Sequence, residues 1–221
     1  MRLETVERST QWAGAAALLM FMVAMLQGLW RGWHSPMGRV AGPAPGFVRN
    51  YTRGAWWLYG PGTAIGLWLL HLLWRPIRLI SSTPARIAVL VLGALLYFPG
   101  IALMLWGRLT LGRMYNVSSV LGAQLYSEHR MVTSGPFALV RHPMYVGGAL
   151  AEVGALLIYR TWAVALIPLQ IPELPFRARR EEEALAAQFG EQWEEYCRRV
   201  PAWIPRLRRG DDRGATASRN E

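Results

Sequence analysis

Three stretches of the chain, residues 11–30, 55–74 and 87–107, are dominated by apolar side chains and contain no Asp, Glu, Lys or Arg. Each is long enough, as a helix, to cross about 30 Å of hydrocarbon. Trp12, Trp30, Trp56, Trp57, Trp74 and Trp106 sit at or near their ends, where amphipathic rings anchor a span at the interface. Two shorter apolar runs follow at 145–159 and 161–176, the second broken by Pro168, Pro172 and Pro175. Proline is tolerated in spanning helices when neighbours satisfy the freed backbone groups. The pattern predicts a tight helical hairpin turning at Arg160 and Thr161. The fold class expected is an all-α membrane protein with about five transmembrane helices. A soluble protein with buried helices is the competing reading.

Beyond the last apolar run the period changes. In "RARREEEALAAQFGEQWEEYCRRVP", residues 177–201, Leu185, Phe189, Trp193 and Tyr196 recur at steps of three and four, which predicts an amphipathic helix. Arg177 and Glu181 extend that stripe and should face protein. Gly190 should break or cap the helix midway. Glu182, Glu183, Glu194 and Glu195 are expected to form a solvated face. The segment 31–54, with Pro36, Pro43, Pro45 and several glycines, is a connecting loop. The polar tail 208–221 has no periodicity and is expected to be disordered.

Charge adds orientation. Of the 221 residues 52% are hydrophobic, and the net charge of +10 is carried by Arg alone. With five spans, the segments 31–54, 108–144 and the tail after 176 share one side and hold 4, 4 and 10 Arg. The other side holds 2, 3 and 1. The positive-inside rule then places the C-terminus in the cytoplasm and the N-terminus outside, in a bacterial inner membrane. Because the Arg residues cluster beside spans, anionic lipid headgroups are the expected partners and nucleic acid is not. The single Cys197 excludes an internal disulfide. The leader "MRLETVERST" is not net positive, so the first run does not resemble a signal peptide.

No acidic residue lies between Arg8 and Ser127, whereas twelve of the fourteen follow Ser127. Residues 1–110 are therefore expected to be a three-span scaffold and 111–207 the region that carries chemistry, with 208–221 the tail. Within that region "VTSGPFALVRHPMYVGG", residues 132–148, combines a turn signal at Ser134, Gly135 and Pro136 with Pro143, which suits the first turn of a helix. His142 and Tyr145 then stand at a helix start on the membrane surface. Two readings remain open at this point. The rings are interfacial anchors, with Arg141 on lipid phosphate; or free N–H groups of the helix end, flanked by those side chains, hold a ligand.

"HRMVTSGPFALVRHPMYVGG" followed by R-x-x-x-E-E-x-x-L-x-x-x-F-G-x-x-W-x-x-Y-x-x-R-V-P resembles the isoprenylcysteine carboxyl methyltransferase family and its bacterial membrane relatives. The resemblance covers about 120–205. It implies S-adenosyl-L-methionine as cofactor, held by His129, Arg130, Met131, Val132, Phe137, His142, Pro143, Met144, Tyr145 and Glu181, with Gln124 the nearest counterpart of a family glutamine. Phe137 stands where the family often has Tyr, so a hydroxyl contact is lost there. Arg177 would orient the methyl acceptor, a lipid or isoprenoid-like molecule and by expectation a carboxylate. Aromatic faces suit a cationic sulfonium, and a carboxylate such as Glu181 can accept hydrogen bonds from amine or hydroxyl groups. Glu152, inside the fourth run, either faces a cavity or pairs within the bundle. A membrane NADPH-dependent reductase and a non-enzymatic membrane subunit are the competing functions.

Overall fold

The computed structural model describes residues 3–34, 40–41, 56–78, 80, 82–115, 125–126 and 130–206. The long apolar runs form helices α1 (Leu3–His34), α2 (Trp56–Leu73) and α3 (Thr83–Leu111). Helix α4 spans Pro143–Tyr159, the four-residue α5 Trp162–Ala165, α6 Leu174–Phe189 and α7 Glu191–Arg199. Apart from the helices, Val40–Ala41 (β1) pairs antiparallel with Leu125–Tyr126 (β2). By length and apolarity α1, over Leu3–Gly28, and α3 are able to cross a membrane; Ala64–Leu73 and α4 are shorter apolar helices.

The α3–α4 pair is the centre of the fold. A Cβ added to Gly100 would stand 2.6 Å from the Gly147 carbonyl oxygen, and one on Gly154 would stand 2.5 Å from the Tyr97 nitrogen. The two backbones therefore touch directly, as small residues permit between helices in lipid. Around this contact Phe21, Leu90, Tyr97, Ile101, Ala151 and Ile158 are buried. Helix α1 joins through hydrogen bonds: the Tyr97 hydroxyl donates to the Gly14 carbonyl at 2.8 Å, and the Tyr159 hydroxyl to the Gln11 carbonyl at 2.7 Å. The outward faces of α1 and α3 remain apolar, with Leu19 and Leu95 each 65% exposed, a surface suited to hydrocarbon rather than water.

One end of the bundle is clamped by charge. Glu7 on α1 accepts from Arg86 Nε of α3 at 3.2 Å and from Arg160, just after α4, at 2.8 Å. At the same end the Ile77 N–H donates to the Arg160 carbonyl at 2.7 Å and the Trp162 N–H to the Arg75 carbonyl at 3.2 Å. The start of α1, the segment between α2 and α3, and the residues just after α4 thus share an end.

Helix α4 stops at Arg160, whose φ of 48° and ψ of 47° are left-handed, and α5 begins from Thr161, whose hydroxyl accepts the Val164 N–H. The predicted turn is in place, but the apolar helix expected over 161–176 is not one helix. It is α5, a 3-10 segment Ile167–Glu173, and the start of α6. The prolines explain this: Pro168 opens the 3-10 segment, Pro172 lies inside it and Pro175 sits in the first turn of α6, each lacking the N–H that a continuous ladder needs. The chain nevertheless returns to the opposite end of α4. Thr161 lies beside Pro76, whereas Glu181 reaches Tyr145 in the first turn of α4.

Candidate functional site

The site forms where that returning chain meets the start of α4. Ahead of α4 a 3-10 turn, Gly135–Ala138, redirects the backbone; Gly135 has φ 61°, and a Cβ there would lie 2.9 Å from the Thr110 hydroxyl. Both conformation and space therefore demand glycine. The next segment pairs with the chain that follows α7: the Arg141 and His142 N–H groups donate to the Pro201 and Ala202 carbonyls at 2.9 and 3.1 Å. Pro143 then occupies the first turn of α4, with His142 as its N-cap.

This pairing gathers three rings. His142 and Tyr145 stack with centroids 5.7 Å apart and planes 22° apart. Trp203 lies 5.2 Å from His142 and 6.4 Å from Tyr145. Two adjacent carboxylates of α6 close on them. The Tyr145 hydroxyl donates to Glu181, and Glu182 Oε1 is 2.8 Å from His142 Nε2 and 3.3 Å from Arg141. The His142 hydrogen bond holds the Glu182 carboxyl below the usual carboxylate range; burial opposes this, while the charges of His142, Arg141 and Arg179 reinforce it. Nearby, Arg108 stacks over Tyr115 at 4.5 Å from its centroid. Burial holds the Tyr115 hydroxyl above its usual range, with the Arg108 charge opposing and the Glu181 charge adding to it.

Helix α7 supplies the support. Gly190, with φ 51°, ends α6 and starts α7, the break that its sequence position predicted. Trp193, Tyr196 and Val200 are buried together, with Met131, Leu185, Phe189 and Cys197 against them. Tyr196 donates to the Phe137 carbonyl at 2.7 Å, and burial pushes its hydroxyl up to about 12. The expected apolar stripe is therefore a packing face that fixes the loop before α4.

Of the predicted site residues, His142, Tyr145 and Glu181 come together, with Pro143 buried beneath them. Met131 packs on the α7 cluster, and Met144 lies over Gly107 of α3. Arg130 is exposed and Val132 half-buried. Phe137 meets the cluster through its carbonyl. Gln124 and His129 lie outside the described residues. Arg177 pairs with Glu173 at 3.0 Å rather than with Glu181.

Glu182 is a correction. Expected on a solvated face, it is half-buried and binds Arg141 and His142, while Glu183, Glu194 and Glu195 are exposed. The signal was available as the Arg141-His142 pair in one motif and two adjacent carboxylates in the other. Trp203 had no such signal, because only the backbone pairing of 201–202 with 141–142 brings it in. Among the described residues no group of three or more His, Cys, Asp or Glu could hold a metal.

Residues 88–192, which include α3, α4 and the carboxylate pair of α6, match the phospholipid methyltransferase family. The chain is 36% identical over 100 residues to a cobalt-zinc-cadmium resistance protein, CzcN, of Cupriavidus metallidurans, covering 44% of each chain. It is 31% identical over 91 residues to the protein-S-isoprenylcysteine O-methyltransferase of Schizosaccharomyces pombe, covering 40% of this chain and 38% of the relative. A nickel-cobalt-cadmium resistance protein, NccN, of Alcaligenes xylosoxydans xylosoxydans is 28% identical over 172 residues, 76% of this chain and 72% of the relative. The match thus spans less than half the length of the first two relatives. The resemblance to isoprenylcysteine carboxyl methyltransferases stands on these matches.

Proposed function

We propose that this chain is an integral membrane methyltransferase that uses S-adenosyl-L-methionine to methylate a lipid-like acceptor, by preference a carboxylate. The observation that carries the reading is the closure of Glu181 and Glu182 onto Tyr145 and His142, inside the stretch that matches the methyltransferase family. The donor set fits the cofactor. Ring faces of Tyr145 and Trp203 beside a half-buried carboxylate suit a sulfonium, and the opening turn of α4 offers N–H groups outside the helical ladder for a carboxylate. Bound there, S-adenosyl-L-methionine would supply an activated methyl group.

The protein's own tasks follow. Glu181 would hold amine or hydroxyl groups of the cofactor, with Tyr145 setting its orientation. His142 and Glu182, with Arg141, would fix the loop that forms the other wall. Arg177 would orient the acceptor. An ionised carboxylate acceptor requires no general base, so alignment and exclusion of water can supply most of the acceleration. The Arg distribution supports a cytoplasmic C-terminus, and the gathering of twelve of the fourteen acidic residues after Ser127 supports a first unit of 1–110 and a chemical unit of 111–207. The returning segment 161–176 would be the fifth crossing.

The test is thermal unfolding of the detergent-solubilised protein. S-adenosylhomocysteine should raise the midpoint and NADPH should not; incubation of lipid extracts with methyl-labelled cofactor should then yield a labelled lipid. Stabilisation by NADPH alone would favour a reductase, and stabilisation by neither a non-enzymatic subunit.

A further inference from the structure

His142, Tyr145, Ala149 and Glu152 recur at steps of three and four on α4 and so form one stripe. Its first two members meet Glu182 and Glu181. The last lies about 10 Å further along the helix than Tyr145, with only the small Ala149 between them. At that point Gln170 Nε2 donates to Glu152 Oε1 at 2.7 Å. Glu152 Oε2 is buried and has no hydrogen-bond partner among the described residues. Arg177 lies within electrostatic reach, yet it is committed to Glu173, and its buried Nε also lacks a partner among the described residues.

Among the described residues this leaves a carboxylate oxygen without a donor and, within electrostatic reach of it, a guanidinium N–H without an acceptor, each costly in an apolar helix bundle. The pair complements a head group that presents one accepting and one donating atom. An ammonium donor would suit Glu152 but be repelled by Arg177, so a neutral donor fits both. We infer that Glu152, braced by Gln170, is a specificity-determining residue that receives a hydroxyl of the acceptor while Arg177 takes its carboxylate. The favoured acceptors are then hydroxylated lipid acids. This inference rests on the methyltransferase reading above. It assigns Glu152 a positioning role and no proton transfer.

The test measures kcat/KM of the full-length, detergent-solubilised protein for β-hydroxypalmitate and β-methoxypalmitate, which differ in the donor alone apart from one methyl group. The hydroxy acid should be preferred by about tenfold or more, because the methoxy analogue leaves Glu152 unpartnered. Glu152→Ala should bring the two acids to within about twofold, since the oxygen that discriminates is gone. Gln170→Leu keeps the carboxylate but loosens it, and should lower the ratio part of the way. A structural role for Glu152 would change both acids equally and leave the ratio intact.

Equal rates for both acids in the wild type, or a ratio that survives Glu152→Ala, would overturn the inference. Stabilisation by S-adenosylhomocysteine without methylation of either acid would also overturn it, while leaving the methyltransferase reading in place. Absence of both stabilisation and methyl transfer would end both.

Discussion

The Tyr145 hydroxyl donates to the Glu181 carboxylate, joining the first turn of α4 to a helix that begins almost thirty residues later in the chain. Glu181 therefore has its orientation set before any ligand arrives. Glu181→Gln keeps the size and removes the charge. It should weaken S-adenosylhomocysteine binding by about 1.5–3 kcal/mol, roughly 10- to 100-fold, the range of a charged hydrogen bond. Tyr145→Phe removes only the brace and should cost about 0.5–1.5 kcal/mol. Isothermal titration measures both, and two unchanged affinities would place the cofactor elsewhere.

Arg177 should behave differently. It pairs with Glu173 at 3.0 Å and takes no part in the Tyr145–Glu181 hydrogen bond. Arg177→Ala should leave cofactor affinity within about threefold and instead lower turnover or raise the acceptor's KM. An affinity loss equal to that of Glu181→Gln would show that the two residues act as one unit.

Acid should loosen the site through Glu182. Its carboxyl titrates below the ordinary value of 4.5, chiefly because of the His142 hydrogen bond. A folded-state value below the unfolded one means that the stabilisation is complete above the unfolded value and is lost as pH falls through the folded one. The unfolding midpoint of the wild type should therefore drop more steeply between about pH 5 and 3 than that of Glu182→Gln. Parallel profiles would assign the acid sensitivity to other carboxylates.

Helix contact gives a prediction about stability. Gly100→Ala would place a methyl group 2.6 Å from the Gly147 carbonyl oxygen, whereas among the described residues nothing lies within 4 Å of a methyl group at Gly66. Gly100→Ala should destabilise the detergent-solubilised protein by about 1–3 kcal/mol, the usual range for overpacking. Gly66→Ala should be neutral or stabilising by up to about 1 kcal/mol. Equal unfolding midpoints for the two variants would mean that α3 and α4 do not touch as described.

Orientation is checked with reporters. A fusion after residue 210 should report cytoplasm, and one at the N-terminus the outside. Cytoplasmic signals from both ends would remove the crossing at 161–176.

Local signals were legible in the sequence, and partner choice was not. Pro143 marked the start of α4 and Gly190 the break between α6 and α7, because each residue restricts or permits backbone angles at its own position. The stripe Leu185, Phe189, Trp193 and Tyr196 was legible for the same reason, since periodicity is local. At 161–176 apolarity and three prolines pointed in opposite directions, and the prolines set the secondary structure. Glu182 read as solvated because its partners lie 40 residues away. Glu7, Arg86 and Arg160 carried no local mark of their contact.

That last contact governs how the protein can be assembled. Glu7 and Arg160 are separated by 153 residues, and Glu7 and Arg86 by 79. At a synthesis rate of roughly 5–20 residues per second, about eight to thirty seconds pass between the appearance of the acid and that of its more distant partner. During biogenesis α1 must therefore wait with its carboxylate only partly neutralised, and it can settle into its final place only after α4 and the turn that follows it have been made. Of α1, α3 and α4, the one made earliest is the last to be locked.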